Sequence, residues 1–176
     1  MQKKQFSLIQ NVSQRELRHL LGQFATGVTV VTTIGKNEKK VGMTANSFTS
    51  VSLNPPLILW NIAKSSSNLE HFQNCELFAI NILNAQQHQE SNHFAKSAED
   101  KFSQIDSVAS VHGIPVLSDA LATLICKNYQ MVEAGDHYIM LGQIEQFSHN
   151  DAKPLLFHNG QYHQAQLHPI HIERTA

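Results

Sequence analysis

The chain has 176 residues, of which 41% are hydrophobic and 15% are charged, and its formal net charge at pH 7 is -1. This length is sufficient for one domain with a hydrophobic core. Because the positive and negative charges are balanced and scattered, the composition argues against binding to nucleic acid or to an anionic membrane surface.

The first predicted elements are a loose N-terminal arm over residues 1–12 and a helix. Ser13 and Glu16 have the spacing of a capping box, in which each side chain satisfies a backbone N–H group of the other residue. Apolar residues follow at helical spacing, at Leu17, Leu20, Leu21 and Phe24. We predict a helix that begins after Ser13 and ends near Gly22.

Segments rich in β-branched and aromatic residues dominate the rest of the chain. They predict strands over residues 27–34, 40–46, 47–53, 57–62, 77–83, 121–132, 137–147 and 155–157. Helices are predicted over residues 66–73 and 86–94, whereas residues 96–113 are polar and irregular. Many short strands with few helices predict a mostly β fold, a small and mostly antiparallel barrel. We expect a single domain over residues 13–165, followed by a C-terminal tail over residues 166–176.

The N-terminus and the cysteines predict the compartment. The N-terminal residues carry charge but lack the apolar segment of a signal peptide. No apolar stretch approaches the about 20 residues that a membrane-spanning helix needs. Cys75 and Cys126 lie far apart in the sequence, as expected for free thiols in a reducing compartment. We therefore expect a soluble cytoplasmic protein that binds neither nucleic acid nor membranes.

Residues 43–52 combine strand-forming residues with many small polar ones. The small residues are Thr44, Ala45, Asn46, Ser47, Thr49, Ser50 and Ser52. Such a strand fills little core volume, leaves room for a flat ligand and offers hydrogen-bonding groups to the ligand's edge. A solvated edge strand would account for the same composition.

A possible anion site follows the next apolar run. Lys64 precedes three serines, Ser65, Ser66 and Ser67, at the start of a predicted helix. A lysine, hydroxyl groups and the free N–H groups of a helix start suit a phosphate, although serines are also ordinary helix caps. The polar strand and this anion site together predict a pocket for a nucleotide-like cofactor.

His137 differs from the other histidines because it follows Gly135 and Asp136 at the start of a long predicted strand. We expect it at the rim of the barrel, on the inward face that it shares with Ile139 and Leu141. A rim histidine next to an aspartate can donate, accept or hold a proton near neutral pH. Alternatively, His137 is only hydrogen-bonded into the rim and Asp136 is only a turn residue.

Other site classes find no support in the sequence. The eleven histidines show no spacing typical of zinc ligands, so we predict no metal site. Gly22 and Gly27 have the spacing of a phosphate-binding loop, but Val28 stands where such a loop has its lysine.

Five segments, in this order, resemble those of the short-chain flavin reductases, the reductase components of two-component flavin-dependent monooxygenases. They are FATGVTVVT (24–32), GMTANSFTSVS (42–52), PPL (55–57), GDHYI with Gly142 (135–142) and PLLF (154–157). Each segment alone is weak evidence, but all five in order form a specific pattern. The resemblance covers roughly residues 15–163 and implies an antiparallel flavin-binding split β-barrel that works as a homodimer.

The resemblance also implies roles for individual residues. Contacts with the flavin ring are expected from Val28, Thr29, Thr44, Ala45, Asn46, Ser47, Ser50, Val51 and Ser52. The ribityl and phosphate end is expected at Lys64, Ser65, Ser66 and Ser67, and His137 is expected on the nicotinamide side as the catalytic residue. Phe157 stands where the family often has tyrosine, so stacking on the flavin is expected there without a hydroxyl contact.

The implied activity is reduction of FMN or FAD by NADH or NADPH, with the reduced flavin passed to a partner oxygenase. Two alternatives remain open: a flavin-binding barrel without reductase turnover, and a different flavin-dependent oxidase on the same fold, such as one acting on a pyridoxal-type substrate. A substrate phosphate would then need further basic residues, and the candidates are few (Arg15, Arg18 and Lys127).

Overall fold

Twelve β-strands and three α-helices form the regular structure of residues 6–98 and 100–168, the part of the chain that this computed structural model describes. The helices are α1 (Gln14–Leu21), α2 (Leu69–Asn74) and α3 (His88–Ala95). The strands are β1 (Thr26–Gly27), β2 (Thr29–Ile34), β3 (Lys40–Ala45), β4 (Thr49–Leu53), β5 (Pro56–Ala63), β6 (Leu77–Ile82), β7 (Ser107–Ala109), β8 (Pro115–Leu117), β9 (Ala122–Ala134), β10 (His137–His149), β11 (Leu155–His158) and β12 (Gln161–Gln164). The predicted arm and tail extend beyond this part, at residues 1–5 and 169–176. None of the described helices is long and apolar enough to cross a membrane.

The strands pair antiparallel throughout the three described sheets, so the prediction of a mostly β, antiparallel fold is confirmed. The largest sheet has the strand order β3-β2-β6-β9-β10-β5-β4. A second sheet joins β1, β11 and β12, and a third joins β7 and β8. β9 and β10 form a long hairpin whose turn contains Gly135 at a φ of 60°, a left-handed conformation that favours glycine.

Three apolar clusters form the core of the described residues, and the two larger ones contain its aromatic rings. In the first, the ring of Trp60 packs edge-on against Phe72 and Phe78, with ring centroids 4.9 and 6.0 Å apart. In the second, Phe94 of α3 packs with residues of β2 and β11 and with Phe102. This second cluster fixes α3 next to the strands that line the site described below.

The helices confirm one capping prediction and contradict another. Ser13 and Glu16 form the predicted capping box at the start of α1, since the Glu16 N–H donates to Ser13 Oγ and the Ser13 N–H donates to Glu16 Oε2. The prediction that serines cap a helix from residue 66 is wrong. Helix α2 begins at Leu69 after Asn68, because the Leu69 N–H donates to the Ser66 carbonyl and closes a turn first.

Three short strands were not predicted. β7 lies in the segment expected to be irregular, and β8 follows that segment. β12 pairs with β11 across a turn in which Asn159 and Gly160 both have positive φ. β12 is mostly polar, and its pairing partner rather than its own composition makes it a strand.

The face of β10 that packs into the core is the opposite of the predicted one. Met140 and Gly142 are buried, and Tyr138 packs against the same core. His137, Ile139 and Leu141 do share a face, but it is the outer one, which is only partly buried. The register with β5 explains this result, because Met140 lies opposite the buried Trp60.

Candidate functional site

A cavity of about 510 Å³ lies where the end of β3 approaches β5 and β10. We call it the β3–β10 cavity. It is lined by Met43, Thr44, Ala45, Asn46, Ser47, Asn61, Ala63, Ala134, His137 and Ile139. The structure thus brings His137 to the polar segment around Thr44 that the sequence singled out, although nearly a hundred residues separate them.

Hydrogen bonds fix the β3 side of this cavity. The Thr29 hydroxyl donates to the Ala45 carbonyl at 2.7 Å, and the Asn61 N–H donates to Ser47 Oγ at 2.9 Å. Thr29 is itself buried, so it supports the cavity wall rather than lining it. The segment after β3 is therefore fixed to both β2 and β5.

Asn61 is the polar residue of this cavity that the sequence analysis missed. Its side-chain oxygen Oδ1 is buried and has no hydrogen-bond partner among the described residues. A buried amide oxygen without a partner costs free energy, on the order of 1–3 kcal/mol, unless a ligand or water satisfies it. The signal in the sequence was an asparagine within the apolar run of β5.

His137 lies at the rim, where its ring is about half exposed. Nδ1 of His137 lies 2.7 Å from Oδ1 of Asp136, and this hydrogen bond lowers the pKa of the Asp136 carboxyl. With Nδ1 held in this way, Nε2 is the ring atom left for a ligand.

A second cavity, of about 240 Å³, adjoins the first and shares Met43 and Thr44 with it. We call it the serine cavity. Its lining includes Ser65, Ser66, Ser67, Asn68, Lys96, Ser97 and Lys101. The three predicted serines therefore share one cavity wall.

Lys101 provides the buried cation of the serine cavity. Its residue surface is 8% exposed, and Nζ donates to the carbonyls of Gly42 and Phe94 at 3.1 and 3.0 Å. Burial lowers the pKa of Lys101, and no carboxylate among the described residues forms an ion pair with it. Nothing in the sequence marked Lys101, which lies in the segment predicted to be an irregular surface loop.

Lys64 does not line the serine cavity. Its ammonium group forms an ion pair with Glu133, which raises the pKa of Lys64 and lowers that of Glu133. The same ammonium lies 5.4 Å from the centroid of the Tyr138 ring. The structure thus separates Lys64 from the serines that follow it in the sequence.

A third cavity, of about 450 Å³, lies on the α3 side of β3 and shares Thr44 and Asn46 with the β3–β10 cavity. We call it the aromatic cavity. Val28, Phe157 and Tyr162 line it, and the two aromatic rings pack edge to face at 5.4 Å. The Tyr162 hydroxyl lies 2.8 Å from Ser91 Oγ and 3.0 Å from Asn92 Oδ1.

Three further predicted ring contacts, Ser50, Val51 and Ser52, lie on β4 and line none of these three cavities. β4 pairs with β5 at the edge of the large sheet, with a bulge between Ser50 and Ser52. Val51, at this bulge, is about half exposed.

Comparisons with known proteins show to which family the chain is similar. The reductase component of a flavin-dependent trigonelline monooxygenase from Acinetobacter baylyi is 45% identical over 148 residues, which are 84% of this chain and 48% of that protein. The chain thus spans about half the length of that relative. The FMN reductase (NADH) SmoA of Agrobacterium fabrum is 41% identical over 150 residues, which are 85% of each chain.

A solved structure with a similar fold also belongs to a flavin-reducing enzyme. The NADH:FAD oxidoreductase SgcE6 of Streptomyces globisporus superimposes with a TM-score of 0.85 at 34% identity, over 95% of this chain and 99% of that one. Residues 21–166 match the family model described as the flavin reductase like domain. The chain therefore belongs to the flavin reductase-like family.

Proposed function

We propose that the chain is an NAD(P)H-dependent flavin reductase that reduces FMN or FAD and supplies the reduced flavin to a partner monooxygenase. One observation carries the proposal. The β3–β10 cavity, lined by Asn61, whose buried Oδ1 has no hydrogen-bond partner among the described residues, shares Met43 and Thr44 with the serine cavity, whose buried Lys101 pairs with no described carboxylate. The names of the relatives, which include an FMN reductase (NADH) and a reductase component of a monooxygenase, support it.

The residues of the β3–β10 cavity suit the flavin ring. Small residues from Thr44 to Ser47 leave room for a flat group, and the partnerless Oδ1 of Asn61 offers an acceptor to a ring N–H. Val28 and Phe157 reach the same segment of β3 from the aromatic cavity. These contacts are the ones we propose for the ring.

The serine cavity suits the flavin phosphate. Ser65, Ser66 and Ser67 supply hydroxyl donors, and Lys101 supplies the positive charge that we first expected from Lys64. A phosphate would compensate a buried ammonium that already uses two protons on carbonyl groups. We therefore assign the phosphate to the three serines and Lys101.

The chemistry requires position more than acid–base groups. When bound, the flavin supplies the hydride acceptor, and the nicotinamide nucleotide supplies the hydride. The protein must hold the two flat groups stacked and keep water out. We assign the nicotinamide side to His137, because Asp136 orients its ring and Ile139 beside it excludes water.

We further infer that the large sheet is a split barrel and that the chain forms a homodimer. The outer face of β5 and β10 carries partly buried apolar residues, at Leu57, Leu59, Ile139 and Leu141. Ile139 also lines the β3–β10 cavity. A second copy on this face would bury the apolar side chains and give the cavity a second wall.

A reduction assay tests the proposed activity. The protein is mixed with FMN or FAD and with NADH or NADPH in the absence of oxygen, and the visible absorption band of oxidised flavin is followed. We expect the band to bleach at a rate that is proportional to protein concentration. Flavin binding without bleaching would instead identify a flavin-binding protein without reductase activity.

A further inference from the structure

A fourth cavity, of about 360 Å³, continues from the serine cavity. The two cavities share Ser67, Asn68, Ser97 and Lys101, so they form one continuous groove. We call the new part the lysine cavity. Because the serine cavity also shares Met43 and Thr44 with the β3–β10 cavity, the three cavities adjoin one another in the order β3–β10, serine, lysine.

The lysine cavity is strongly basic. Lys39 and Lys40, at the start of β3, line it together with the shared Lys101 and with His71. Among the described residues that line it there is no aspartate or glutamate, although the whole chain has a net charge of -1. Nearby Lys36 is different, because it pairs with Glu70 and does not line the cavity.

Three ammonium groups around one cavity repel each other, and an anion between them would remove that repulsion. The single phosphate assigned to the serine cavity touches only the Lys101 end of this arrangement. The charge on Lys39 and Lys40 is left for a second anionic group farther along the groove. The cavity is also within the usual size range of small-ligand sites, about 300–1,000 Å³.

We propose that the lysine cavity takes the adenylate half of FAD, so that the protein binds FAD more tightly than FMN. The proposal rests on the proposed function, which assigns the ring and the first phosphate to the two preceding cavities. The order of the cavities then matches the order of groups in FAD: ring, first phosphate, second phosphate and adenosine. FMN ends at the first phosphate and would offer no anionic group to Lys39 and to Lys40, whose ammonium lies 5.8 Å from the centroid of the Phe102 ring.

The test compares flavin affinities in four proteins by titration under identical salt. They are the unchanged chain, Lys39→Ala/Lys40→Ala, Ser66→Ala/Ser67→Ala, and the control Lys127→Ala/Lys153→Ala. The control removes the same charge from two exposed lysines that do not line the lysine cavity. Thermal melting of each variant checks that it is folded.

We expect Lys39→Ala/Lys40→Ala to raise the Kd for FAD roughly tenfold, the scale of one lost charge-assisted hydrogen bond, and to change the Kd for FMN by less than about twofold. The control should leave both values unchanged. Equal losses for FMN and FAD, or no loss for either, would overturn the proposal. So would a higher KM for NADH or NADPH with an unchanged Kd for FAD, because the cavity would then bind the nicotinamide nucleotide.

The serine variant separates this proposal from the proposed function. Ser66→Ala/Ser67→Ala should raise the Kd for FMN and the Kd for FAD alike, by roughly ten- to a hundredfold, since both flavins carry the first phosphate. If it weakens both flavins but the lysine variant is not selective, only the adenylate assignment fails. If it leaves both affinities unchanged, the phosphate assignment itself fails.

Discussion

Lys64 and Lys101 are both lysines near the same three serines, but their surroundings differ. Lys64 is balanced by Glu133 at the surface, whereas Lys101 is buried against two carbonyl oxygens without a carboxylate among the described residues. A buried ammonium is costly, and the lowered pKa of Lys101 reflects that cost. Such a group is well suited to an anionic ligand, because the ligand adds the missing charge.

His137 allows a test of positioning against acid–base catalysis. We expect His137→Ala to leave flavin affinity nearly unchanged and to lower the rate of hydride transfer about tenfold, or about 1.4 kcal/mol. The reason is that hydride transfer itself requires no proton in the same step, so we expect the His137 ring only to position the nicotinamide. Stopped-flow reduction of bound flavin over a range of NADH concentrations measures the limiting rate and the apparent affinity.

Two other outcomes would change this assignment. A loss of about 10²–10⁴ would indicate general acid–base catalysis rather than positioning. An unchanged rate and affinity together with a melting temperature several degrees lower would make His137 a structural residue of the rim. Asp136→Asn is the matched control, because it keeps an acceptor for Nδ1 of His137 but removes the charge.

At the scale of elements, β10 shows how closely the core is packed. A Cβ atom at Gly142 would lie 2.5 Å from Cζ of Phe78 and 3.0 Å from Cβ of Cys126. Phe78 and Cys126 are fully buried, so neither can move without disturbing the core. We expect Gly142→Ala to lower the free energy of unfolding by about 1–3 kcal/mol, the usual cost of overpacking, as measured by denaturant titration.

Gly27→Ala is the control for this prediction, because a Cβ atom at Gly27 would meet nothing within 4 Å. Gly27 also lies in a short strand, β1, that pairs with β11 outside the large sheet. Comparable losses of stability in both variants would mean that crowding around Phe78 and Cys126 is not the reason for glycine at residue 142.

The sequence predicted helices and strands correctly where a local pattern is sufficient to determine the type of element. The β-branched residues of β2 and the capping box of α1 identify their elements without tertiary information. β10 is different, because it carries apolar residues on both faces, with Met140 on one and Ile139 and Leu141 on the other. Alternation therefore predicts the strand but not its core-facing side, which its pairing with β5 determines.

At the scale of the whole molecule, the site depends on contacts that no local pattern contains. The family segments did lead to Thr44, Asn46 and His137, which the structure brings to one cavity. Lys101 joins the site only because its loop packs between α3 and β3, where it reaches the carbonyls of Phe94 and Gly42. A lysine in a polar loop carries no sequence signal of such burial.

We expect a second copy of the chain to pack on the outer face of β5 and β10. Leu59 and Leu141 are register partners on this face, and both are only partly buried. Since the same face borders the β3–β10 cavity, we expect the protein to be a homodimer whose flavin site needs both copies. Light scattering at micromolar concentration should give twice the 19.7 kDa of one chain.

Leu59→Glu/Leu141→Glu should give a monomer with weakened flavin binding, because charges at the centre of an apolar interface are desolvated without partners.

The matched control is Val108→Glu/Val111→Glu, which adds the same charges at two exposed apolar residues that are not on this face. It should remain a dimer with unchanged flavin affinity. If the unchanged chain has the mass of one chain and still reduces flavin, the second copy is not needed to complete the site. If the double leucine variant stays dimeric, the copies associate through another surface, and the exposed apolar side of α1, with Leu20 and Leu21, becomes the next face to test.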